Sequence, residues 1–542
     1  MATVSQQKIT GAFYTPPRVA ELLVAWGVRE PGDYVLDPSF GEGVFLEAAL
    51  LRLAKLRGRP NRQVFGIELD ESAVARASSF LNRNHLVVND FFDVSHSELP
   101  GFDVVVGNPP FIRYHHFAGA VREKAIALAR LAGVEISELT SSWAPFLIHA
   151  TQFLVKHGRL AMVVPFEITH AAYARPVIQH LTRSFRHIYL AAFEERIFPE
   201  LSQDTVLLLA DGFGTRCDGI RFKRFGRVEE FAESAESHVP FGKRVGAQDL
   251  ERSNGRLRNH LLPGTAGALY NFLSADPRIQ RLGTVASVGI GYVTGCNNFF
   301  HLSQAEISEL RIPSRYLRPS LVTPKALHGL RFTKTDWDEL RQSEAKAFLL
   351  DLTGGAQSEL PASVCSYLEA GRKKKVHLAY KCKVRKPWYA VPHAKPADAF
   401  LSYMAGTAPK VCLNEAQVLA TNSTHEIRVV SGSAEPSKLA FAFSSTLVQL
   451  SCEIEGHPMG GGLLKLEPSE AERVILPKPE FVPVTQPEFE RADRHMREGA
   501  NGSLGDLADQ VVLRLGLGLT WKQIQVLRDG LERLRQSRRK GS

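Results

Sequence analysis

The four residues Asn108-Pro109-Pro110-Phe111 have the types and the order needed to hold a planar amino group. The apolar run of residues 104–106 predicts a buried strand, and the two prolines end it abruptly. The Asn108 side-chain oxygen and the Pro109 carbonyl could each accept one hydrogen of an exocyclic amino group, turning its nitrogen lone pair toward an electrophile. Phe111 would stack on the base, with about 1–3 kcal/mol per base. The motif predicts methylation of adenine N6, and the alternative is a plain Pro-Pro turn.

Three acidic residues follow predicted strands upstream of this motif. Asp37 precedes a glycine-bearing loop and a helix that is predicted to begin near Phe45. Glu68 ends a second strand about thirty residues after the first, where an acid can hold the two hydroxyls of a ribose. Asp90 ends a third strand, before Phe91, and suits an adenine amino group. The alternation of strand, loop and helix predicts a doubly wound α/β sheet that binds an adenosine-containing cofactor.

Two other nucleotide sites fit the cofactor loop poorly. A dinucleotide site requires G-x-G-x-x-G, whereas this loop reads Asp-Pro-Ser-Phe-Gly-Glu-Gly over residues 37–43. Asp37 would repel a pyrophosphate but suits the ammonium of a methionine moiety. The phosphate loop G-x-x-x-x-G-K-[ST] does not occur in the chain.

In the order of these parts the chain resembles the gamma class of N6-adenine DNA methyltransferases of type II restriction–modification systems. The resemblance includes the Phe-Tyr-Thr-Pro-Pro segment of residues 13–17 and extends through residues 156–165, predicted as a helix end followed by a strand, to residues 196–210. It implies a Rossmann-like methyltransferase sheet with helices on both faces and S-adenosylmethionine as cofactor. The implied cofactor-binding residues are Phe13, Thr15, Asp37, Phe40, Gly41, Glu68, Asp90 and Phe91. Asn108, Pro109, Pro110 and Phe111 would hold the target adenine, with Phe198 stacking on its other face. Phe111 departs from the commoner tyrosine, which removes a hydroxyl but preserves the stacking ring.

The composition is that of a cytoplasmic globular protein of two or three domains. The 542 residues are 44% hydrophobic and 23% charged, with a formal net charge of +9 and a pI of about 9.2. The six scattered cysteines form no CxxC pair, so we expect reduced thiols and no metal site. No signal peptide or apolar run of membrane-spanning length is apparent.

A basic segment lies in the second half of the chain. Residues 371–386 contain eight cations and no acid, and two aromatic residues follow them. Such a segment predicts contacts to double-stranded DNA, although a solvated basic face is the alternative. The candidate DNA-binding residues are Arg372, Lys373, Lys374, Lys375, Lys381, Lys383, Arg385 and Trp388.

We expect four parts along the chain. Residues 1–245 would form the catalytic domain, 246–280 a linker, 281–480 a mixed α+β target-recognition domain, and 481–542 a C-terminal helical segment. The predicted activity is site-specific methylation of a flipped adenine, protecting host DNA from a separately encoded restriction endonuclease.

Several other functions remain open from the sequence. A bifunctional restriction–modification enzyme would need a nuclease domain, and Asp338, Glu344 and Lys346 are too closely spaced for the usual nuclease core. A glutamine side chain or an RNA base could replace DNA as the substrate, because similar motifs occur in those methyltransferases. A non-catalytic DNA-binding component of a defence system would not bind the cofactor.

Overall fold

The computed structural model describes residues 14–112, 116–138, 140–169, 171–195, 197–198, 205–238, 240–252, 257, 262, 264–353, 360–392 and 395–540. The chain divides into two compact units, Met1–Leu261 with Arg539–Ser542, and Leu262–Arg538. The division falls inside residues 246–280, where we expected a linker. Two helices lie in that segment.

The strands are β1 Val35–Asp37, β2 Val64–Glu68, β3 Leu86–Val88, β4 Phe102–Gly107, β5 Leu154–Pro165, β6 His187–Phe193, β7 Thr205–Asp211, β8 Gly219–Phe225, β9 Lys243–Gly246, β10 Ile279–Arg281, β11 Ala286–Ile290, β12 His301–Leu302, β13 Leu317–Leu321, β14 Arg331–Phe332, β15 Phe348–Leu350, β16 Ala399–Leu401, β17 Met404–Ala405, β18 Val411–Asn414, β19 Leu419–Ala420, β20 His425–Val429, β21 His457–Met459, β22 Leu463–Lys465 and β23 Ile475–Pro477.

The α-helices are α1 Pro17–Gly27, α2 Val44–Lys55, α3 Pro60–Gln63, α4 Glu71–Ala77, α5 Gly119–Leu131, α6 Trp143–Thr151, α7 Arg175–Ser184, α8 Val228–Ser237, α9 Ala247–Arg252, α10 Gly264–Ser274, α11 Asn297–Phe300, α12 Gln304–Leu310, α13 Lys334–Gln342, α14 Ala362–Lys373, α15 Tyr380–Lys383, α16 Pro436–Ala442, α17 Thr446–Glu455, α18 Pro468–Ala471, α19 Gln486–Arg497, α20 Asn501–Ala508 and α21 Trp521–Lys540. A π-helix, Asp509–Gly516, continues α20.

The first unit is an α/β sandwich around a nine-stranded sheet, in the order β3-β2-β1-β4-β5-β7-β6-β8-β9. Strands β1 to β5 are parallel, and β7 runs antiparallel to both of its neighbours. Helix α1 packs with α2 and α8, while α6 packs with α5 and α7, so helices cover both faces of the sheet. The central strands are apolar throughout because neither face meets water.

One expected boundary in this unit is wrong. Residues 156–165 were predicted as a helix end followed by a strand, but α6 ends at Thr151 and the strand β5 already begins at Leu154. Lys156 and His157 are polar and exposed, and they are followed by Gly158, a combination that is typical of a helix end. They are held in the sheet because the chain there pairs with its neighbour, with the His157 N–H donating to the Phe213 carbonyl at 2.8 Å.

The second unit mixes helices with four smaller sheets. A five-stranded sheet has the order β11-β20-β16-β18-β14, and a four-stranded sheet has the order β12-β15-β13-β19. Strands β17, β22 and β21 form a third sheet, and β10 pairs with β23. The helices α19 to α21 occupy much of residues 481–540. Among the described helices, none is both long and apolar enough to cross a membrane.

Candidate functional site

The candidate site lies where the strand order of the large sheet reverses. The next two strands along the chain, β2 and β3, lie on one side of β1, whereas β4 and β5 lie on its other side. In open α/β sheets, ligands bind in the crevice at the carboxyl ends of the strands at such a point. Asp37 ends β1 there, and the residues Asn108 to Phe111 follow β4.

Asp37 is fully buried and only partly satisfied. Its Oδ1 accepts a hydrogen bond from the Ser39 N–H at 3.1 Å, whereas its Oδ2 has no hydrogen-bond partner among the described residues. Burial, with a smaller contribution from the nearby Glu68, raises the pKa of Asp37 to about 8. A side chain at Gly107 would bring a Cβ within 3.0 Å of Asp37 Oδ1, so this glycine permits the close approach of β4.

The loop after β1 is shaped by glycines and held by Glu68. Gly41 and Gly43 have φ values of 54° and 90°, a conformation that favours glycine. Glu68 Oε2 accepts a hydrogen bond from the Gly41 N–H at 2.9 Å. Its Oε1 accepts from the N–H groups of Leu69 and Asp70 at 2.7 and 3.0 Å. Glu68 therefore ties the end of β2 to the loop.

Phe40 lies buried beneath this loop. Its N–H donates to the Ile67 carbonyl at 3.3 Å. A Cβ at Gly66 would lie 2.6 Å from Phe40 Cδ1, so a glycine on β2 makes room for the ring. The loop thus rests directly on the sheet.

The third acidic position lies beyond β3. Asp90 is partly exposed, and its Oδ1 accepts a hydrogen bond from the Phe92 N–H at 2.9 Å. Phe91 is buried, with its ring centroid 4.5 Å from that of Phe146 and 4.6 Å from that of His149. Burial lowers the pKa of His149. Phe91 therefore contributes to the core as well as flanking Asp90.

Asn108 has one end of its amide fixed and the other end unsatisfied. Its Nδ2 donates a hydrogen bond to Thr15 Oγ1 at 3.1 Å, and Thr15 is itself buried. Asn108 Oδ1 is buried and has no hydrogen-bond partner within the described part of the chain. The Pro109 carbonyl likewise accepts no hydrogen bond from any residue that the structure describes. Two acceptors are therefore available at the end of β4.

Ser142, immediately before α6, secures the turn that carries these acceptors. Its hydroxyl donates to the Pro110 carbonyl and accepts from the Ile112 N–H at 2.9 Å. Its own N–H donates to the Ile112 carbonyl at 3.0 Å. On the other side of the motif, Ser39 Oγ donates to the Asn108 carbonyl at 3.5 Å. Hydrogen bonds thus fix the backbone on both sides of Pro109.

Phe111 and Phe198, the two predicted stacking residues, are both buried in the core of the first unit. Phe13 lies outside the described residues. The sequence alone did not identify Ser142, Ser39 or Gly66 as parts of this region. The serine pair before the apolar helix at 143–151 signals a helix start, but nothing in that pattern indicates a hydrogen bond to the turn after β4.

The basic segment lies in the second unit, on α14, α15 and the chain that joins and follows them. Arg372, the lysines at 373–375, Lys381 and Lys383 are exposed. Arg385 instead donates hydrogen bonds to the carbonyls of Val293 and Thr294, at 2.5 and 2.7 Å. Trp388 is half-buried, with ring centroids 5.7 Å from Phe299 and 6.2 Å from Phe300.

The first unit fits the cofactor that the sequence implies. The unpartnered Asp37 Oδ2 suits an ammonium group, and the left-handed loop at Gly41 and Gly43 allows close approach of a ligand to the backbone. Glu68 has both oxygens engaged with backbone N–H groups, which holds the carboxylate at the end of β2. The remaining lone pairs of the Glu68 carboxylate can still accept hydrogen bonds from hydroxyl groups.

Two protein families match the chain. The N-6 DNA Methylase family matches residues 1–180, and the family described as Type II methyltransferase M.Eco57I, C-terminal domain, matches residues 254–513. Together these matches cover parts of both units. The first includes the strands that carry Asp37, Glu68 and the Asn108 motif.

Curated relatives align along most of the chain. The chain is 24% identical over 500 residues to Type II methyltransferase M.AccI of Acinetobacter calcoaceticus, covering 88% of this chain and 86% of that protein. It is 23% identical over 484 residues to Type II methyltransferase M.XamI of Xanthomonas campestris pv. amaranthicola, covering 86% and 85%.

Among solved structures, the fold is similar to that of the Type IIL restriction-modification enzyme MmeI in complex with DNA. The TM-score is 0.55 at 13% sequence identity, and the match covers 96% of this chain and 75% of the other. The family matches and the relatives confirm the expected DNA methyltransferase activity and cofactor. Residues 1–180 match the N-6 DNA Methylase family, and the chain is a type II restriction–modification DNA methyltransferase that uses S-adenosylmethionine.

Proposed function

We propose that this protein methylates N6 of an adenine that has been rotated out of double-stranded DNA. The observation that carries the proposal is the buried, unpartnered Asn108 Oδ1, beside a Pro109 carbonyl with no described donor. Two acceptors match the two hydrogens of an exocyclic amino group. A buried acceptor without a hydrogen bond lowers the free energy of unfolding. We explain its presence here by a donor that arrives with the substrate.

Thr15 and Ser142 orient these acceptors. The Asn108 amide nitrogen donates to Thr15 Oγ1, which turns Oδ1 away from that partner. Ser142 holds Pro110 and Ile112, the residues that follow Pro109. Acceptance of both N6 hydrogens pulls the nitrogen out of conjugation with the ring. Preorganised acceptors of this kind need no rearrangement at the moment of reaction.

The cofactor site completes the reaction geometry. S-adenosylmethionine supplies, when bound, an electrophilic methyl group. Asp37 would hold its ammonium, Phe40 and Gly41 its methionine end, Glu68 its ribose, and Asp90 and Phe91 its adenine, with Phe13 and Thr15 closing the site. No strong base is required, since the N6 proton is lost after methyl transfer. Catalysis then depends on orientation and hydrogen-bond acceptors.

The flipped base is held between aromatic rings in this proposal. Rotation of adenine out of the duplex costs a few kcal/mol. Stacking on Phe111 and Phe198 would offset much of that cost, at roughly 1–3 kcal/mol per base. Residues 281–480 would supply sequence recognition, and the exposed basic residues from Arg372 to Lys383 would contact phosphates. Protection of host DNA from a cognate endonuclease follows as the biological role.

The proposal is tested by transfer of a labelled methyl group from S-adenosylmethionine to genomic DNA from a methylation-deficient host. Digestion to nucleosides should place the label in N6-methyladenine. Asn108→Ala should bind the cofactor as the wild type does and lose about 10²- to 10³-fold in transfer, as expected for one preorganised hydrogen-bonding group. Asn82→Ala, at an exposed helix cap in the same unit, is the matched control. Label in another nucleoside, or full activity of Asn108→Ala, would refute the proposal.

A further inference from the structure

The chain around α15 exposes three large apolar side chains within the basic segment. Leu378, Tyr380 and Val384 are 57%, 76% and 66% exposed. Tyr380 and Val384 are four residues apart on one helical turn, so they lie on the same side of it. Exposed apolar side chains that share one surface indicate an interaction site, and Tyr380 and Val384 do so here.

The opposite side of the same turn is fixed to the body of the second unit. Cys382 is completely buried, and Arg385 donates to two backbone carbonyls. Gly295 permits this contact, since a Cβ there would lie 2.9 Å from Lys381 Cβ and 3.1 Å from Cys382 Sγ. The turn is therefore anchored from within, and this anchoring holds Tyr380 outward.

The surface around Tyr380 is strongly basic. The Lys381 ammonium lies 5.6 Å from the centroid of the Tyr380 ring. Lys381, Lys383 and the lysines at 373–375 are exposed, and none of them forms an ion pair with any described residue. An exposed aromatic ring surrounded by unpaired lysines is suited to bind a polyanion that also carries aromatic groups. Nucleic acid has that combination, because bases stack on aromatic rings while phosphates meet cations.

The aromatic residues that follow the basic segment face inward. Trp388 packs in a cluster with Phe299 and Phe300, and Tyr389 is buried. Phe299 also stacks on Tyr367, with centroids 4.6 Å apart and an interplanar angle of 8°. These clustered rings are therefore part of the packing of the second unit. Tyr380 is consequently the aromatic side chain of this segment that is free to meet a base.

We propose that Tyr380 stacks on a base of the bound DNA, with Val384 on the same side of the turn and the surrounding lysines contacting the phosphates. The inference rests on the proposed function, since it names the surface of that DNA methyltransferase that contacts its substrate. Tyr380 contacts bases through its ring and not through its hydroxyl. It acts where a base face is exposed by local unstacking of the duplex.

The test measures affinity for a 40-base-pair mixed-sequence duplex and for the same duplex with one central bulged adenine. The wild type should prefer the bulged duplex. Tyr380→Ala should weaken binding to the bulged duplex by roughly 5- to 140-fold, the range equivalent to one base–aromatic stack. The salt dependence should not change, because no cation is lost. Tyr380→Phe should bind as the wild type does.

Phe272→Ala is the matched control, because Phe272 is 65% exposed in the same unit and lies outside the basic segment. It should leave both affinities unchanged. Equal affinities for wild type and Tyr380→Ala would overturn the proposal. So would a change in oligomeric state without a change in DNA affinity, which would assign the surface to a second copy of the chain. Methyl transfer by the wild type to genomic DNA is measured in parallel, so failure of the proposed function is recognised separately.

Discussion

The raised pKa of Asp37 predicts that cofactor binding releases a proton. With a pKa of about 8, this carboxyl is about 90% protonated at pH 7 in the cofactor-free protein. An ammonium placed beside the unpartnered Oδ2 favours the ionised form, and it lowers the pKa of Asp37. Binding of S-adenosylmethionine at pH 7 should therefore release about 0.9 proton per molecule bound.

The release is measured by titration calorimetry in buffers of different ionisation enthalpy. The observed binding enthalpy should vary linearly with the buffer enthalpy, and the slope gives the number of protons. The slope should fall as the pH rises from 7 toward 8, because a growing fraction of Asp37 is already ionised before the cofactor binds. For the cofactor-free protein, the raised pKa means that Asp37 stabilises the fold fully below its unfolded pKa of 3.8. That contribution declines as the pH rises toward 8.

Two variants make the calorimetric result specific. Asp37→Asn should bind the cofactor more weakly and release almost no proton. Asp70→Asn, at an exposed helix cap in the same unit, should preserve the wild-type slope. A wild-type slope near zero at pH 7, or an undiminished slope in Asp37→Asn, would refute the placement of the ammonium at Asp37.

Three further substitutions test separate parts of the molecule. Ser142→Ala should lower kcat while leaving cofactor affinity unchanged in steady-state kinetics, since it frees the turn after β4; a simple loss of stability would be detected by thermal unfolding. Gly66→Ala should weaken cofactor binding, because its Cβ would lie 2.6 Å from Phe40 Cδ1, whereas Gly32→Ala, with no atom within 4 Å, should bind normally. Replacement of the lysines at 373–375 by alanine should reduce the slope of log affinity against log salt by about 3 for duplex DNA, and arginine at the same positions should preserve it.

The sequence predicted the catalytic half of the fold well because its signals are local. Each of the acidic residues Asp37, Glu68 and Asp90 lies at or just after the end of a short apolar run, and those runs form adjacent parallel strands. The Asn108 motif was recognisable because two prolines cannot continue a central strand. The family match and the relatives confirm the DNA methyltransferase activity that these positions indicated.

Other features depend on contacts between distant residues, which no local pattern encodes. Ser142 meets the turn after β4 across about thirty residues, and Thr15 meets Asn108 across ninety-three positions. The sequence also could not predict which side chains of the basic segment face solvent. Trp388 and Tyr380 both stand beside lysines in the sequence, but Cys382 and Arg385 anchor the turn so that Tyr380 is the exposed ring.

The most direct test of the central claim is base-modification sequencing of genomic DNA from a methylation-deficient bacterial host that expresses the protein. Cells that express wild type should carry N6-methyladenine at one recurring sequence, and cells that express Asn108→Ala at matched protein level should not. An unmodified genome in cells that express folded, cofactor-binding wild type would contradict the account, as would a modified base other than adenine.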